Sequence, residues 1–316
     1  MIDVNGVTLE VTHAGEGPMV LLLHGFPELA YSWRHQIAAL AEAGYHAVAP
    51  NQRGYGRSDC PEDLDAYSIF ELVGDSVALV QAMDHEDAVV VGHDWGSMVA
   101  WQCALFRPDV FRGVMGMSVP YLPRGPYSII DLVGMAVGEG FNYILHFQQP
   151  ELAEQELDAD PIFTMRRILW LASGDRPADL VGPDPATQTS LLEGDPPPEG
   201  LPSWLSDGDL MAYAEAFTHS GFRGGINWYR NMQRNHDLTA PWTDAKVTIP
   251  ASFVGGLSDF VVNGGPVGEA GPSVALMEAM CSDFRGSTFL PGIGHWNQQE
   301  DPAGTNSALL EFLSGL

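Results

Sequence analysis

Positive charge and cysteine are scarce in this 316-residue chain. Only 14 Lys and Arg stand against 41 Asp and Glu, and the resulting net charge of -27 repels phosphate backbones and anionic headgroups. Nucleic acid and membrane are therefore not expected as partners. The three cysteines, Cys60, Cys103 and Cys281, are odd in number and far apart. That excludes a fully paired disulfide framework and CxxC zinc spacing, and it suits a reducing cytoplasm. No apolar run approaches the roughly 18 residues of a spanning helix, and Met1–Val7 lacks the basic and apolar regions of a secretory signal. What the chain does have is 45% apolar residues and only 17% charged ones, enough to bury a large core.

The first third alternates two periodicities. Met19–Leu23 (MVLLL) is an unbroken apolar run of strand length, as a strand buried on both faces requires. A helical stripe follows over 31–43, then a strand over 46–49, a helix over 69–83, a strand over 88–91, a helix over 95–106 and a strand over 113–119. Such alternation predicts a mostly parallel sheet with helices on both faces. From Arg124 the rhythm stops. Helical pieces at 127–147, 162–172, 207–219 and 226–235 are separated by breaker-rich linkers, one of them carrying Pro196, Pro197 and Pro198. Strands at 251–254 and 287–290, with helices near 274–280 and 305–313, then resume the pattern. The organisation expected is an α/β core over 1–123 and 242–316, interrupted by a helical cap over 124–241.

The most informative stretch is Val89 to Ser97, where Gly92 and Gly96 flank Asp94 between a strand and a helix. It has the layout of the G-x-S-x-G nucleophile turn with aspartate in the serine position. A carboxylate held there can attack carbon directly and form an alkyl ester. Aspartate is also a favoured N-cap, so a merely structural Asp94 is the competing reading at this point. The strand ending in His24-Gly25-Phe26-Pro27 would place the Phe26 amide in an oxyanion hole, with the amide of Trp95, the residue after the nucleophile, as the second donor. His24 and His93 are read as satisfied core histidines without metal spacing, and no HExxH occurs. His295, in the loop after the strand at 287–290, suits a general base for water attack on the ester. The order nucleophile, acid, histidine then asks for a carboxylate between 94 and 295. Asp259 follows an apolar strand and fits, whereas the loop after 113–119 offers no carboxylate and Asp283 reads as a surface residue.

With these residues in hand the chain resembles the epoxide hydrolases of the α/β-hydrolase superfamily, of the soluble type. The resemblance runs over nearly the whole chain. It rests on His24–Glu28, Gln52–Ser58, Gly92–Gly96 and Gly294–Trp296, the first three of which are shared with dehalogenases. It rests further on two cap segments, Phe141–Gln148 and Ser220–Asn231, in which Tyr143 and Tyr229 occupy the positions of the family's epoxide-polarising tyrosines. The resemblance implies an α/β-hydrolase fold, an apolar or aromatic epoxide as substrate, water as co-substrate, a vicinal diol as product and neither cofactor nor metal. Self-association stays open.

Two departures stand out. Asn51 replaces an aspartate common before the Gln-Arg-Gly segment, with an effect expected on loop structure rather than chemistry. The stretch 264–272 after Asp259 carries four glycines and two prolines. The nearest rival activity is haloalkane or haloacid dehalogenation with the same Asp94, His295 and Asp259. Against it, Phe26 stands where haloalkane enzymes carry an asparagine, and two tyrosines favour an epoxide oxygen over a halide. An esterase is disfavoured because Ser97 lies beyond the turn and Ser118 lacks flanking glycines. A non-catalytic binding protein of this fold would have lost one of the reacting groups.

Overall fold

In the computed structural model, eight strands form one sheet: β1 (Ile2–Val4), β2 (Val7–Ala14), β3 (Met19–Leu23), β4 (His46–Asn51), β5 (Ala88–His93), β6 (Phe111–Met117), β7 (Val247–Gly256) and β8 (Cys281–Leu290). The structure describes all residues except 178–179, 181–182, 195–199 and 264–270, together with the side chains of 263, 271 and 272. The proline run 196–198 and most of the glycine-rich stretch 264–272 thus lie outside the described residues.

The strand order is β1-β2-β4-β3-β5-β6-β7-β8, with β1 and β2 antiparallel and β3 to β8 parallel. Every residue of β3 is buried. Leu21 and Leu23 face one core layer with Val90 and Trp101, while Val20 and Leu22 face the other with Val89, Val91 and Leu309. Each such side chain contributes about 1.5–3 kcal/mol relative to exposure, which is why an uninterrupted apolar run is stable only at the centre of a covered sheet. From β3 the chain steps to β4 on one side and afterwards to β5 on the other. That change of direction opens a crevice at the carboxyl ends of β3 and β5, where ligands bind in open α/β sheets.

Among the described residues, the α-helices between β6 and β7 form one insertion: Ile129–Val137, Tyr143–His146, Leu152–Leu157, Pro161–Leu171, Asp207–Ser220, Arg223–Arg230 and Met232–Leu238. The helix expected over 127–147 is two. Ser128 and Asp131 form a capping box that starts the first, and Gly138, at φ 57°, ends it, a conformation only glycine adopts freely. The piece expected over 226–235 divides likewise at Asn231. The pair β1 and β2 was not anticipated, and β7 and β8 are each ten residues long rather than four. Among the described residues, no helix is long and apolar enough to cross a membrane.

Candidate active site

Asp94 stands between β5 and the helix Trp95–Phe106 at φ 52° and ψ -119°, and its side chain caps nothing. The capping reading therefore fails, and the cost of that backbone conformation, of order 1–3 kcal/mol, needs another reason. The flanking glycines permit it. A Cβ on Gly92 would lie 2.0 Å from the Gly96 carbonyl oxygen, and one on Gly96 would lie 2.0 Å from that of Leu23. Only bare backbone lets the turn pack this closely against β3 while lifting the carboxylate above the sheet.

Around that carboxylate the loops converge. The Phe26 amide donates to Asp94 Oδ1 at 2.8 Å. The Trp95 amide opens the following helix, where the first-turn N–H groups have no intrahelical acceptor. His295 Nε2 lies 3.5 Å from Asp94 Oδ2, and His295 Nδ1 lies 3.0 Å from Asp259 Oδ2. Asp259 is fully buried in the turn leaving β7, and its Oδ1 accepts the Val261 amide at 2.8 Å. The Asp94 side chain keeps 15% exposure, against 5% for His295 and 0% for Asp259, so of the three the carboxylate at residue 94 is the one most open to a ligand.

The electrostatics follow from this spacing. Burial disfavours a charged His295, but Asp259 and then Asp94 outweigh it and hold its pKa well above the usual imidazole value. Burial likewise disfavours an ionised Asp94; His295, His93 and the Phe26 amide outweigh it and hold the carboxyl below its ordinary range. Both shifts favour the ion pair of ionised Asp94 and protonated His295.

Tyr143 and Tyr229 face each other edge to face, ring centroids 5.8 Å apart. Both phenols are raised above their ordinary pKa, first by burial and then by the negative charge of Asp94. They are neutral hydrogen-bond donors beside a carboxylate. Tyr229 packs edge-on against the Trp95 ring at 5.1 Å. Its helix, Arg223–Arg230, sits low over the core because Gly224 meets Gly54, where a Cβ on Gly224 would lie 2.2 Å from the Gly54 carbonyl oxygen. The Trp228 indole fastens the same contact by donating to the Arg53 carbonyl at 3.2 Å.

His24 is pushed down to about 4 by burial. Its Nδ1 faces the Gly25 carbonyl at 2.9 Å and its Nε2 accepts the Gln52 amide at 3.0 Å, so it is a neutral structural ring. His93 faces Glu28 Oε2 at 2.6 Å and the His295 carbonyl at 2.7 Å. Glu28 is the centre that sequence reasoning missed. Fully buried beneath the site, it also accepts the side-chain amides of Gln298 and Gln299, each at 2.9 Å. Ser118 adds a hydroxyl to the His295 carbonyl at 2.7 Å. Nothing in a single sequence marks a glutamate as buried; its place directly after His24-Gly25-Phe26-Pro27 was the only signal. Asn51 ties loops together, accepting the Ala30 amide at 2.8 Å and donating to Glu10 at 2.6 Å, a donation no aspartate carboxylate could make. Asp283 lies apart, paired with Arg285.

A cavity of about 310 Å³ adjoins the site, with Trp95, Met98 and Trp101 on the core side and Ile129, Leu132 and Met232 on the insertion. Trp95 borders it, whereas Asp94, Tyr143 and Tyr229 do not line it. Among the described residues, no group of three or more His, Cys, Asp or Glu is arranged to hold a metal ion.

The chain is similar over its length to proteins of known family. A family model described as alpha/beta hydrolase fold matches residues 18–138. Epoxide hydrolase A of Mycobacterium tuberculosis is 44% identical, over 100% of this chain and 97% of its own length. Epoxide hydrolase of Caballeronia sordidicola is 39% identical, over 99% and 92%. The crystal structure of Epoxide Hydrolase A from Mycobacterium thermoresistibile superposes with a TM-score of 0.89 at 43% identity, covering 100% of this chain and 97% of that one. With full-length identity at this level and the same fold, the chain belongs to the epoxide hydrolases of the α/β-hydrolase fold.

Proposed function

We propose that this protein hydrolyses an epoxide to a vicinal diol through an ester on Asp94. The observation that carries the reading is the single row Asp259–His295–Asp94, near enough to the phenols of Tyr143 and Tyr229 for the Asp94 charge to raise both. Asp94 Oδ2 attacks one ring carbon, the carbon–oxygen bond breaks, and Tyr143 or Tyr229 gives its proton to the departing oxygen. Oδ1 becomes the ester carbonyl, already under the Phe26 amide. Esterification removes the Asp94 charge, one of the two that hold His295 protonated. The imidazolium then returns a proton, through solvent, to the tyrosinate, and His295 is left neutral as a base. It takes a proton from water as the water oxygen attacks the Asp94 carboxyl carbon, and the amides of Phe26 and Trp95 hold the oxyanion. Collapse expels the diol oxygen, which takes that proton from His295. The proton left on the new Asp94 carboxyl restores the ion pair, so every proton is accounted for.

The rings packed around the two phenols, Phe26, Trp95 and Phe147, support an apolar or aromatic substituent on the epoxide. The helical insertion, residues 124–241, serves in this reading as a cap that brings the phenols over the core segments 1–123 and 242–316. The three free thiols support a cytoplasmic setting.

The test is direct. In His295→Gln, one turnover should leave the substrate's mass on a peptide containing residue 94. In heavy-oxygen water the wild-type diol should carry no label in the first turnover and carry it from the second. A first-turnover diol whose new oxygen comes from solvent would overturn the covalent route.

A further inference from the structure

The two phenols sit on helices of four and eight residues, too short to hold their own position. What registers them is polar. Gln148 Nε2 donates to the Ile144 carbonyl at 2.9 Å and to the Tyr229 carbonyl at 3.1 Å, so one amide group spans the two tyrosine-bearing helices. Arg230, next to Tyr229 in the chain, reaches back the other way. Its Nε donates to the Phe147 carbonyl and its Nη2 to the Gln149 carbonyl, both at 2.9 Å. Glu154 pairs with the same guanidinium at 14% side-chain exposure, against 10% for Arg230, and fixes its plane. Three of these bonds, from Gln148 to the Tyr229 carbonyl and from Arg230 to the Phe147 and Gln149 carbonyls, join a neighbour of one tyrosine to the backbone around the other. The rings in between, Tyr143, Phe147 and Tyr229, meet edge to face at 5.0 to 5.8 Å, an arrangement that can slide unless the backbone is pinned.

We infer that Gln148, with Arg230, is a positioning residue that sets the register of Tyr143 against Tyr229 and thereby decides which epoxide carbon faces Asp94. This rests on the reading that the two phenols hold the epoxide oxygen. The oxygen is fixed between two donors and the carboxylate comes from below, so a shift of one phenol along the other tilts the ring and exchanges the near carbon for the far one. Displacements of about 1 Å at a reacting centre are worth as much as about a hundredfold in rate, and the same displacement changes the balance between two adjacent carbons.

The experiment uses a single enantiomer of styrene oxide in heavy-oxygen water under multiple turnover, with the label's position in the diol read by mass spectrometry. The ratio of attack at the two carbons does not depend on the fraction of active protein, so a merely weakened fold leaves it unchanged. Gln148→Asn keeps the amide but loses its reach, and should change the ratio at least about threefold while slowing ester formation about tenfold. Should that variant not fold, Arg230→Lys, which keeps the charge but cannot span both carbonyls, carries the same expectation. A wild-type ratio in the folded variant overturns the proposal. Tyr143→Phe in the same assay separates the two readings: if ester formation is as fast without that phenol, the tyrosine reading itself falls, whereas a slow Tyr143→Phe beside an unchanged ratio in Gln148→Asn sinks the register alone.

Discussion

An aspartate and a histidine that share one proton-rich contact carry opposite pH signatures. Asp94 is held below the ordinary carboxylate range and His295 well above the imidazole value. Ester formation needs ionised Asp94 and neutral phenols, so its rate should stay level from about pH 8 down to about pH 5. Ester hydrolysis needs neutral His295, which in the ester has lost Asp94 but kept Asp259, so this step should fall as pH drops. Rapid-quench mass spectrometry should therefore find the ester accumulating at about pH 5 and scarce at about pH 8; parallel decline of both steps would contradict the ion-pair scheme. The linkage to stability has the matching signs. The His295 contribution is complete below its unfolded pKa and is lost as pH rises through the folded value, whereas that of Asp94 is complete above its unfolded pKa and is lost as pH falls through the folded one. Asp259→Asn removes the charge but not the contact, and should slow hydrolysis about 10²–10⁴-fold while leaving ester formation nearly intact, as single-turnover kinetics would measure. Asp94 was legible because a tight turn demands glycines at fixed offsets, and Asp259 because chain order restricts the acid. Glu28 was not, since burial of a carboxylate is decided by Gln298 and Gln299, some 270 residues away in the chain.

At the scale of elements, the contact of Gly54 with Gly224 couples the loop after β4 to the helix that carries Tyr229. In Gly224→Ala the new methyl would meet a backbone carbonyl rather than a side chain that can yield. The helix must lift, at a cost of about 1–3 kcal/mol, and Tyr229 moves with it. Expected is a fold retained in circular dichroism, a lower urea midpoint and ester formation slowed about a hundredfold; unaltered kinetics would mean that the helix height does not matter. The parallel strands were readable because burial on both faces writes an apolar run such as Met19–Leu23. The β1–β2 hairpin was overlooked although it carries its own signal: Asn5 and Gly6, at φ 33° and 79°, are the two-residue turn that favours such hairpins. The insertion was legible as helical but not in its breaks. The register of short helices is set by side chains such as Gln148 and Arg230 reaching across space, which local periodicity does not contain.

For the whole molecule, two properties that belong to no one residue bear on behaviour: the space between sheet and insertion, and the total charge. If the substituent of the epoxide rests in the cavity of about 310 Å³, then Met98→Trp, which fills part of it, should raise KM for stilbene oxide about tenfold and for propylene oxide far less. Equal effects on both would place the substituent elsewhere. The net charge of -27 gives a prediction of definite sign. Exposed ion pairs such as Arg107–Asp109, with side chains 37% and 63% accessible, are worth little, and the buried pair Arg53–Asp75, 3% and 8% accessible, is shielded from mobile ions. What salt mainly reaches is the repulsion among unpaired surface carboxylates. Raising sodium chloride from about 0.1 M to about 1 M shortens the screening length from about 10 Å to about 3 Å, so the unfolding temperature at neutral pH should rise by a few degrees, about 1 kcal/mol. Scanning calorimetry across a chloride series measures this. A fall in the transition would mean that attractive surface pairs outweigh the repulsion of so acidic a chain. A rise that levels off once the screening length drops below the spacing of neighbouring carboxylates would identify self-repulsion as its cause.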